Sequence, residues 1–164
     1  MKQIDQDYLK SILHYNPETG WFAWTGIGNI NGKRKKENRA GYITLRNKYR
    51  QIQLDGQAYL EHKLAFLYMK GWMPDEIDHE NLNGTDNRWK NLREATRSQN
   101  QGNTSIRKDN TLGYKGITWN KRMRKYVARV QCNKKRIHAL FDSIEEAVRW
   151  RQLKAEELHG EFAR

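Results

Sequence analysis

The sequence of 164 residues has few cysteines, few prolines and fewer acidic than basic groups. Its single cysteine, Cys132, excludes internal disulfides and any zinc site built on paired cysteines. We interpret Cys132 as a strand residue without a redox role. No apolar run approaches the roughly 18 residues that a membrane span requires, and residues 1–5 lack a signal-peptide pattern. We therefore expect a soluble, cytosolic protein.

The scarcity of acids leaves a strongly basic chain. It has 31 Lys and Arg against 19 Asp and Glu, a net charge of +12. This balance favours a polyanionic partner, most simply nucleic acid, with an anionic membrane surface as the alternative. Residues 106–164 hold 15 basic and 7 acidic groups, whereas residues 1–105 hold 16 and 12. The C-terminal part is therefore the expected docking module.

Local patterns in the first 76 residues alternate between helix and strand. They predict a helix over Asp5–Leu13, a strand over Trp21–Trp24, a β-meander over Tyr42–Tyr59 with a hairpin at Asp55-Gly56, and a buried helix over Leu60–Met69 that ends at Gly71. The loop between Gly26 and Gly41 contains the basic run Lys33–Lys36. Two interpretations stay open for it: a solvated loop, or a loop that contacts phosphates and orders on DNA.

The stretch from Ile77 to Asn103 is dense in Asn, Asp and Arg, and it predicts strand, turn-rich loop, strand and helix. Asp78 and His79 are adjacent, so on a regular strand they point to opposite faces, whereas a bulge can turn both toward one pocket. A capping box that begins at Thr96 places Asn100 in the first turn of the helix. Taken singly, these residues are ordinary caps and turn formers; together they suggest a polar site.

This order of residues resembles the HNH nuclease motif of phage and intron-encoded homing endonucleases, which have a ββα-metal fold. The matching positions are Asp78-His79, Asn91-Leu92-Arg93 and Asn100. The resemblance implies that His79 is the general base that activates water and that Asn91 braces the loop and orients His79. It also implies that Asp78 and Asn100 hold one divalent cation against the scissile phosphate.

The chemistry of these groups agrees with the resemblance. Imidazole titrates near neutral pH and suits removal of a proton from water. Carboxylate and amide oxygens are hard ligands that suit Mg²⁺ or Mn²⁺ and not zinc. Relatives often carry a His-Arg or His-Lys pair where His62-Lys63 stands, and for His62 we expect packing or a phosphate contact.

From Gly113 the pattern changes to three strands and one helix. Strands are predicted over Tyr114–Trp119, Lys125–Gln131 and Lys135–Phe141, and a helix from Ser143 to Gly160. Nine basic residues and no acid lie between Asn110 and Phe141. A solvated face is the ordinary explanation of such a run, but so much unpaired like charge favours a polyanion-binding sheet face.

Residues 113–162 resemble an APETALA2-type DNA-binding domain, in which the sheet enters the major groove. The residues that carry the resemblance are Tyr114-Lys-Gly-Ile117, Lys125-Tyr-Val-Ala128, Phe141-Asp-Ser-Ile-Glu-Glu-Ala147 and His159-Gly-Glu-Phe-Ala163. The chain departs from the family at Ala139-Leu140 and at Arg129, so base specificity does not carry over. For Trp119, core packing and DNA contact are both open.

Candidate DNA-contacting residues across the chain are Arg88, Arg93, Lys115, Trp119, Arg122, Arg124, Lys125, Arg129 and Arg136. The expected domains are an HNH nuclease domain over 1–103 with its ββα core at about 76–103, a linker over 104–112 and an APETALA2-type domain over 113–164. The linker is either a flexible tether or a strap along DNA. The expected fold class is α+β: a ββα-metal nuclease domain with an N-terminal β-rich extension, then a three-stranded antiparallel sheet packed on one helix.

The hypothesis is a metal-dependent DNA endonuclease of the homing type that uses one Mg²⁺ or Mn²⁺, and no zinc. Its expected partner is double-stranded DNA, without a membrane or an obligate protein partner, in the host cytoplasm if the protein is phage-encoded. One alternative is a DNA-binding regulator that keeps a decayed nuclease fold. An RNA-binding protein is the other, which charge alone does not separate from a DNA-binding one.

Overall fold

The computed structural model describes residues 4–26, 39–44 and 49–163, which form an α+β fold of small antiparallel sheets. The chain folds as two units, Met1–Glu94 and Ala95–Arg164. The nuclease, linker and APETALA2-type boundaries stay predictions. The run Lys33–Lys36 and Leu45 of the predicted meander lie outside the described residues. Within the ranges described, no helix is both long enough and apolar enough to cross a bilayer.

The described residues of the first unit form two helices, three antiparallel sheets and a short 3₁₀ turn. Its elements are α1 (Gln6–Ile12), β1 (Leu13–Asn16), β2 (Trp21–Trp24), β3 (Tyr42–Ile43), β4 (Arg50–Leu54), β5 (Gln57–Leu60), α2 (Glu61–Lys70), β6 (Ile77–His79), the 3₁₀ turn Trp89–Asn91 and β7 (Leu92–Glu94). The sheets are the pairs β1–β2 and β6–β7 and the meander β3–β4–β5. Their shared core is formed by buried apolar residues of α1, α2 and the strands.

Local signals set most of these boundaries. Asp5 caps α1 by accepting a hydrogen bond from the Tyr8 backbone N–H at 2.8 Å. The helix ends one residue earlier than predicted, because Leu13 is extended and pairs with Trp24 as the first residue of β1. Gly71, at φ +84°, ends α2 as predicted.

The turn between β1 and β2 packs against the backbone of residues 87–89. Gly20 has φ +72°, and a Cβ there would lie 2.3 Å from the carbonyl carbon of Asn87. The Tyr15 hydroxyl donates to the Asn87 carbonyl at 2.7 Å. The Trp89 N–H donates to the Pro17 carbonyl at 2.9 Å. The N-terminal hairpin therefore fixes the backbone of Asn87.

The second unit contains a short helix, a three-stranded sheet and a long helix. Its elements are α3 (Arg97–Gly102), β8 (Ile117–Asn120), β9 (Lys125–Cys132), β10 (Lys135–Phe141), α4 (Ile144–His159) and a 3₁₀ turn Gly160–Phe162. The antiparallel strand order is β10–β9–β8. Ile117, Ala128 and Ala147 form its buried centre, so the predicted packing of sheet on helix is confirmed.

The first strand of this sheet begins three residues later than the sequence pattern predicts. Tyr114 lies in a turn that closes when the Ile117 N–H donates to its carbonyl at 3.3 Å. Gly113 and Gly116 flank that turn at φ +75° and +73°. Gly116 also packs closely on β9, because a Cβ there would lie 2.5 Å from the Arg129 carbonyl oxygen.

The close packing at Gly20 gives a stability prediction. We expect Gly20→Ala to lower the free energy of unfolding, because it adds a backbone clash to the cost of a positive φ. Gly56→Ala is the matched control, since Gly56 has φ +81° and nothing within 4 Å of its Cβ position. The control should lose about 1 kcal/mol, and Gly20→Ala about 1–3 kcal/mol more. Equal losses in urea denaturation would contradict the packing.

Candidate active site

His79 ends strand β6 and lies on a regular two-stranded ribbon. It pairs with Leu92 of β7, and the preceding Asp78 pairs with Arg93. No bulge interrupts this pairing, so the alternation of an extended strand sends the Asp78 and His79 side chains to opposite faces. The bulge that would turn both toward one pocket is not what the structure contains. Both side chains are buried, at 5% and 6% exposure.

Two rings and one amide surround the imidazole of His79. The Tyr49 ring stacks on it with centroids 5.8 Å apart, and the His62 ring meets it edge-on at 5.0 Å. Asn87 places Oδ1 at 3.1 Å from Nε2 of His79. Gly84 leaves room for this stack, since a Cβ there would lie 2.5 Å from the Tyr49 ring. The imidazole is therefore held from several sides.

Burial keeps both histidines of this cluster neutral. It lowers the pKa of His79, although the hydrogen bond to Asn87 and the charges of Asp78 and Asp86 act in the opposite direction. Burial, helped by the positive charge of Lys63, lowers the pKa of His62 to about 3. A neutral imidazole has one unprotonated nitrogen, which a general base needs.

A buried polar chain leads away from His79 through Asn87. Asn87 is 2% exposed, and its Nδ2 donates to Oε2 of Glu61 at 2.6 Å. Glu61, the first residue of α2, is fully buried and forms an ion pair with Arg50 at 3.0 Å. Asn87, Glu61 and Arg50 are not among the site residues predicted from the sequence. Asn87 had one signal, its place in a polar loop directly after the motif histidine.

Asn91 holds the loop that joins β6 to β7. Its Nδ2 donates to the Asp86 carbonyl at 2.7 Å, and its Oδ1 accepts from the Asn81 N–H at 3.0 Å. These bonds lie across the loop, whereas the contact to Nε2 of His79 comes from Asn87. From the sequence, we expected Asn91 to brace the loop and to orient His79. The bonds of Asn91 suit the first task, and the second stays a prediction.

Arg88 and Arg93, two candidate DNA contacts, form ion pairs with loop and strand acids. Arg88 donates through Nε to Oδ1 of Asp86 at 2.7 Å, and its hydrogen bonds hold the pKa of that carboxyl down at about 2. Arg93 donates to Oδ2 of Asp78 at 2.8 Å. DNA or a cation that engaged these groups would have to compete with the ion pairs.

The structure places the two expected cation ligands in different units. Asp78 lies on β6, and Asn100 lies on α3, which begins with the predicted capping box of Thr96 and Gln99. Among the described residues, no group of three or more His, Cys, Asp or Glu side chains is arranged to hold a metal ion. The Asp78 side chain offers carboxylate oxygens, and the Asn100 side chain offers an amide oxygen. Those hard oxygen donors fit Mg²⁺ or Mn²⁺.

The candidate DNA contacts of the second unit fall into three groups. Arg129 and Arg136 are exposed on the sheet face opposite to α4. Arg122 and Arg124 are exposed in the turn between β8 and β9. Lys115, Lys125 and Trp119 have structural contacts, with the Gly102 carbonyl, with Asp142 at 2.9 Å and with the Tyr126 ring respectively.

The sequence left two roles for Trp119, core packing and DNA contact, and its position in the structure allows both. Register with Tyr126 places it on the helix side of the sheet, yet 43% of its side chain is exposed. An open groove of about 910 Å³ is lined by Trp119, Tyr126 and basic residues. The basic residues of the groove are Arg107, Lys115, Lys121 and Arg129. Charge and aromatic rings thus occur together along β8.

Comparison with known proteins identifies the family. The chain is 35% identical over 95 residues to protein 3.8 of Escherichia phage T7, which covers 58% of this chain and 76% of that protein. A sequence model described as HNH endonuclease matches residues 59–101. The chain belongs to the family of protein 3.8 and carries an HNH endonuclease domain. A distant structural likeness links it to the HNH homing endonuclease I-HmuI, with 16% identity, a TM-score of 0.42 and coverage of 92% of this chain and 83% of that one.

The matched HNH domain includes every residue of the buried polar chain except Arg50. It runs from Tyr59 through Glu61, His62 and His79 to the first turns of α3. Arg50 on β4 and the hairpin that holds Asn87 lie before it in the sequence. The HNH domain therefore depends on the preceding β-rich segment for the partners of its buried polar groups.

The burial of His62 makes the stability of the HNH domain depend on pH. An unfolded histidine titrates near pH ~6.5, whereas the pKa of folded His62 is about 3. Between those two pH values, His62 is protonated in the unfolded state and unprotonated in the folded state. The contribution of His62 to the free energy of unfolding is therefore fully present above pH ~6.5. Below that pH, and down to the folded pKa of about 3, it falls by about 1.4 kcal/mol per pH unit.

The variant His62→Phe, which keeps the ring, tests this dependence. The difference in unfolding free energy between wild type and variant should change by about 1.4 kcal/mol per unit between roughly pH 5 and 6. His138→Gln, a change at an exposed position on β10, is the control and should leave the wild-type slope intact. A slope unaltered by His62→Phe in urea titrations would contradict the assignment.

Proposed function

We propose that this chain is a metal-dependent DNA endonuclease of the HNH homing type, which hydrolyses a phosphodiester with water activated by His79. The observation that carries the proposal is the buried, neutral imidazole of His79, oriented by Asn87 within a domain that matches the HNH endonuclease family. The family match supports the reaction class, and the buried imidazole supports His79 as the base.

His79 accepts the proton of the attacking water. Its lowered pKa keeps the imidazole unprotonated at neutral pH, and the Tyr49 and His62 rings restrict its rotation. Asn91 holds the backbone of residues 81 and 86 together, which keeps the loop beside His79 in one conformation. Positioning of this kind removes part of the entropic barrier to the attack.

Asp78 and Asn100 are the residues that would hold the divalent cation. When bound, Mg²⁺ or Mn²⁺ would supply positive charge to the scissile phosphate. Asp78 and His79 point to opposite faces of β6, which is a regular strand that ends at His79. Both side chains can therefore approach the same phosphate only if that phosphate lies beyond the end of the strand. Arg93 already neutralises Asp78, so the proposal requires that this guanidinium shift toward the DNA backbone.

The C-terminal sheet is proposed as the APETALA2-type docking module. The exposed guanidinium groups of Arg129 and Arg136 share the sheet face that α4 leaves uncovered. Guanidinium groups on such a face bind phosphates and fix the register of the duplex without reading its sequence. Because the HNH domain belongs to the same polypeptide, docking of this sheet on DNA would also bring the HNH domain to the DNA.

The ion pair between Asp78 and Arg93 favours a second candidate function. A carboxylate held by a guanidinium at 2.8 Å is also what a decayed nuclease that retains DNA binding would show. In that case the chain is a DNA-binding regulator. The two functions differ in one result: both proteins bind duplex DNA, and only the endonuclease cuts it.

Nicking of supercoiled plasmid in Mg²⁺ separates these functions. We expect cutting by the wild type, its loss on chelation of the metal, and a decrease of about 10²–10⁴-fold in His79→Ala, since a general base contributes that much. Asp78→Ala and Asn100→Ala should each abolish cutting while duplex binding survives. His14→Ala, at an exposed position of β1, should cut normally. If a variant cuts at the wild-type rate, the substituted residue is not part of the active site. If the wild type binds duplex DNA without cutting it, the protein is the DNA-binding regulator.

Duplex binding at several salt concentrations tests the docking face. Arg129→Ala should weaken affinity for all duplexes and reduce the salt slope by about one, as loss of a phosphate contact does. Arg149→Ala removes the same charge from an exposed position on α4, and it should have a smaller effect. Unchanged affinity and slope in Arg129→Ala would remove this residue from the interface.

A further inference from the structure

We propose that Asn87 and Glu61 are positioning residues that hold His79 in the tautomer with its proton on Nε2, so that Nδ1 is the nitrogen that accepts a proton from water. The catalytic meaning of this inference rests on the proposed function. The tautomer itself is a property of the metal-free protein and can be measured without any cleavage.

The amide of Asn87 has only one workable orientation. A carboxylate accepts hydrogen bonds and donates none, so the atom of Asn87 that lies 2.6 Å from Oε2 of Glu61 must be the NH₂ group. The carbonyl Oδ1 is then the atom directed at His79, at 3.1 Å from Nε2. The reverse orientation would set two acceptors against each other at the Glu61 end, at a site where Asn87 is only 2% exposed.

The orientation of Asn87 fixes the proton of His79. An amide oxygen can only accept, so Nε2 of His79 has to be the donor in the contact between them. A neutral imidazole carries one proton, and with that proton on Nε2 the lone pair resides on Nδ1. The amide of Asn87 therefore determines which nitrogen of His79 can act as a base.

The buried polar chain that ends at His79 begins at the carboxylate of Glu61. Glu61 is fully buried, and its Oε2 lies 3.0 Å from Nε of Arg50 and 3.8 Å from Nη2 of Arg39. Nη2 of Arg50 also donates to the carbonyls of Ala40 and Gly41, each at 3.1 Å. Burial raises the pKa of the Glu61 carboxyl, whereas the charges of Arg50 and Arg39 and the hydrogen bond from Asn87 favour its ionised form. The ionised Glu61 then orients Asn87.

The backbone of Asn87 is held independently of its side chain. The Tyr15 hydroxyl bonds the Asn87 carbonyl, and Gly20 packs against the same peptide. A change in the Asn87 amide or in Glu61 can therefore alter the contact with His79 while the loop backbone stays in place. This separation makes the tautomer a selective readout.

Long-range ¹H–¹⁵N NMR of histidine-labelled, metal-free protein at about pH 8, where an imidazole is neutral, measures the tautomer directly. For the wild type we expect a protonated-type shift at Nε2 of His79 and an unprotonated-type shift at Nδ1. Glu61→Gln removes the carboxylate with little change in shape, and the new amide can donate or accept. In this variant we expect a mixture of both tautomers. Glu94→Gln makes the same chemical change at an exposed position of β7 and should leave the wild-type tautomer.

A double substitution tests the order of donors and acceptors. In Glu61→Gln with Asn87→Asp, the new amide donates to the new carboxylate, which accepts from Nε2 of His79. We expect the double variant to recover the Nε2–H tautomer that Glu61→Gln alone loses. The single variant Asn87→Ala should show the mixture as well, and an amide spectrum like that of the wild type is the check that each variant is folded.

The outcomes separate this inference from the proposed function. A proton on Nδ1 in the wild type, or an unchanged tautomer in folded Glu61→Gln, would overturn the inference even if the protein cuts DNA. If the tautomers are as expected but the protein cuts no DNA, the positioning role of Asn87 and Glu61 is supported and the proposed endonuclease function is wrong. In a protein that cuts, Glu61→Gln should lower kcat by about 10-fold or more, within the range that a general base supplies, and should leave duplex affinity unchanged.

Discussion

The buried carboxylate of Glu61 is the constraint on which the first unit depends. A fully buried charge is tolerated only when it is paired and hydrogen bonded. Arg50 of β4 and Asn87 of the loop after β6 supply those partners from distant parts of the sequence. Glu61 thereby joins the meander, the start of α2 and the loop beside His79 at one point. Loss of one partner would cost about 3–5 kcal/mol, because an uncompensated charge would be left behind.

This arrangement explains why the HNH domain is preceded by a β-rich segment. A two-stranded ribbon of three residues per strand is marginal by itself. The β1–β2 hairpin packs on the backbone of residues 87–89, and the meander contributes Arg50. The extension therefore supplies the packing and the charge that keep a small polar site ordered. It also accounts for a histidine cluster that is buried and neutral within a chain of net charge +12.

The sequence predicted elements whose signals are local. The capping box at Thr96, the Gly71 helix end and the Asp55-Gly56 hairpin each depend on residues a few positions apart, and the structure has all three. Strand β1 was missed, because Leu13 continues the apolar stripe of α1 and no turn residue separates the two elements.

The polar chain behind His79 could not be predicted in the same way. Glu61 and Asn87 are 26 positions apart, and each alone suggests a surface acid or a turn former. Only the fold shows that they share a buried hydrogen bond. The motif order predicted that Asn91 orients His79, and the structure adds a direct contact between the imidazole and Asn87 that the motif order did not predict. The joint role of Asp78 and Asn100 stays a prediction.

A crystal structure of the wild-type protein with duplex DNA and Mn²⁺, in which anomalous scattering locates the ion, tests the proposed cation site. We expect one ion at about 2.1 Å, the ordinary distance for such a hard cation, from a carboxylate oxygen of Asp78 and from the amide oxygen of Asn100. We also expect a backbone phosphate on that ion, Arg93 displaced from Asp78, and Nδ1 of His79 facing the attacking water. A bound duplex with Arg93 still paired to Asp78 and no ion between Asp78 and Asn100 would contradict the proposed cation site.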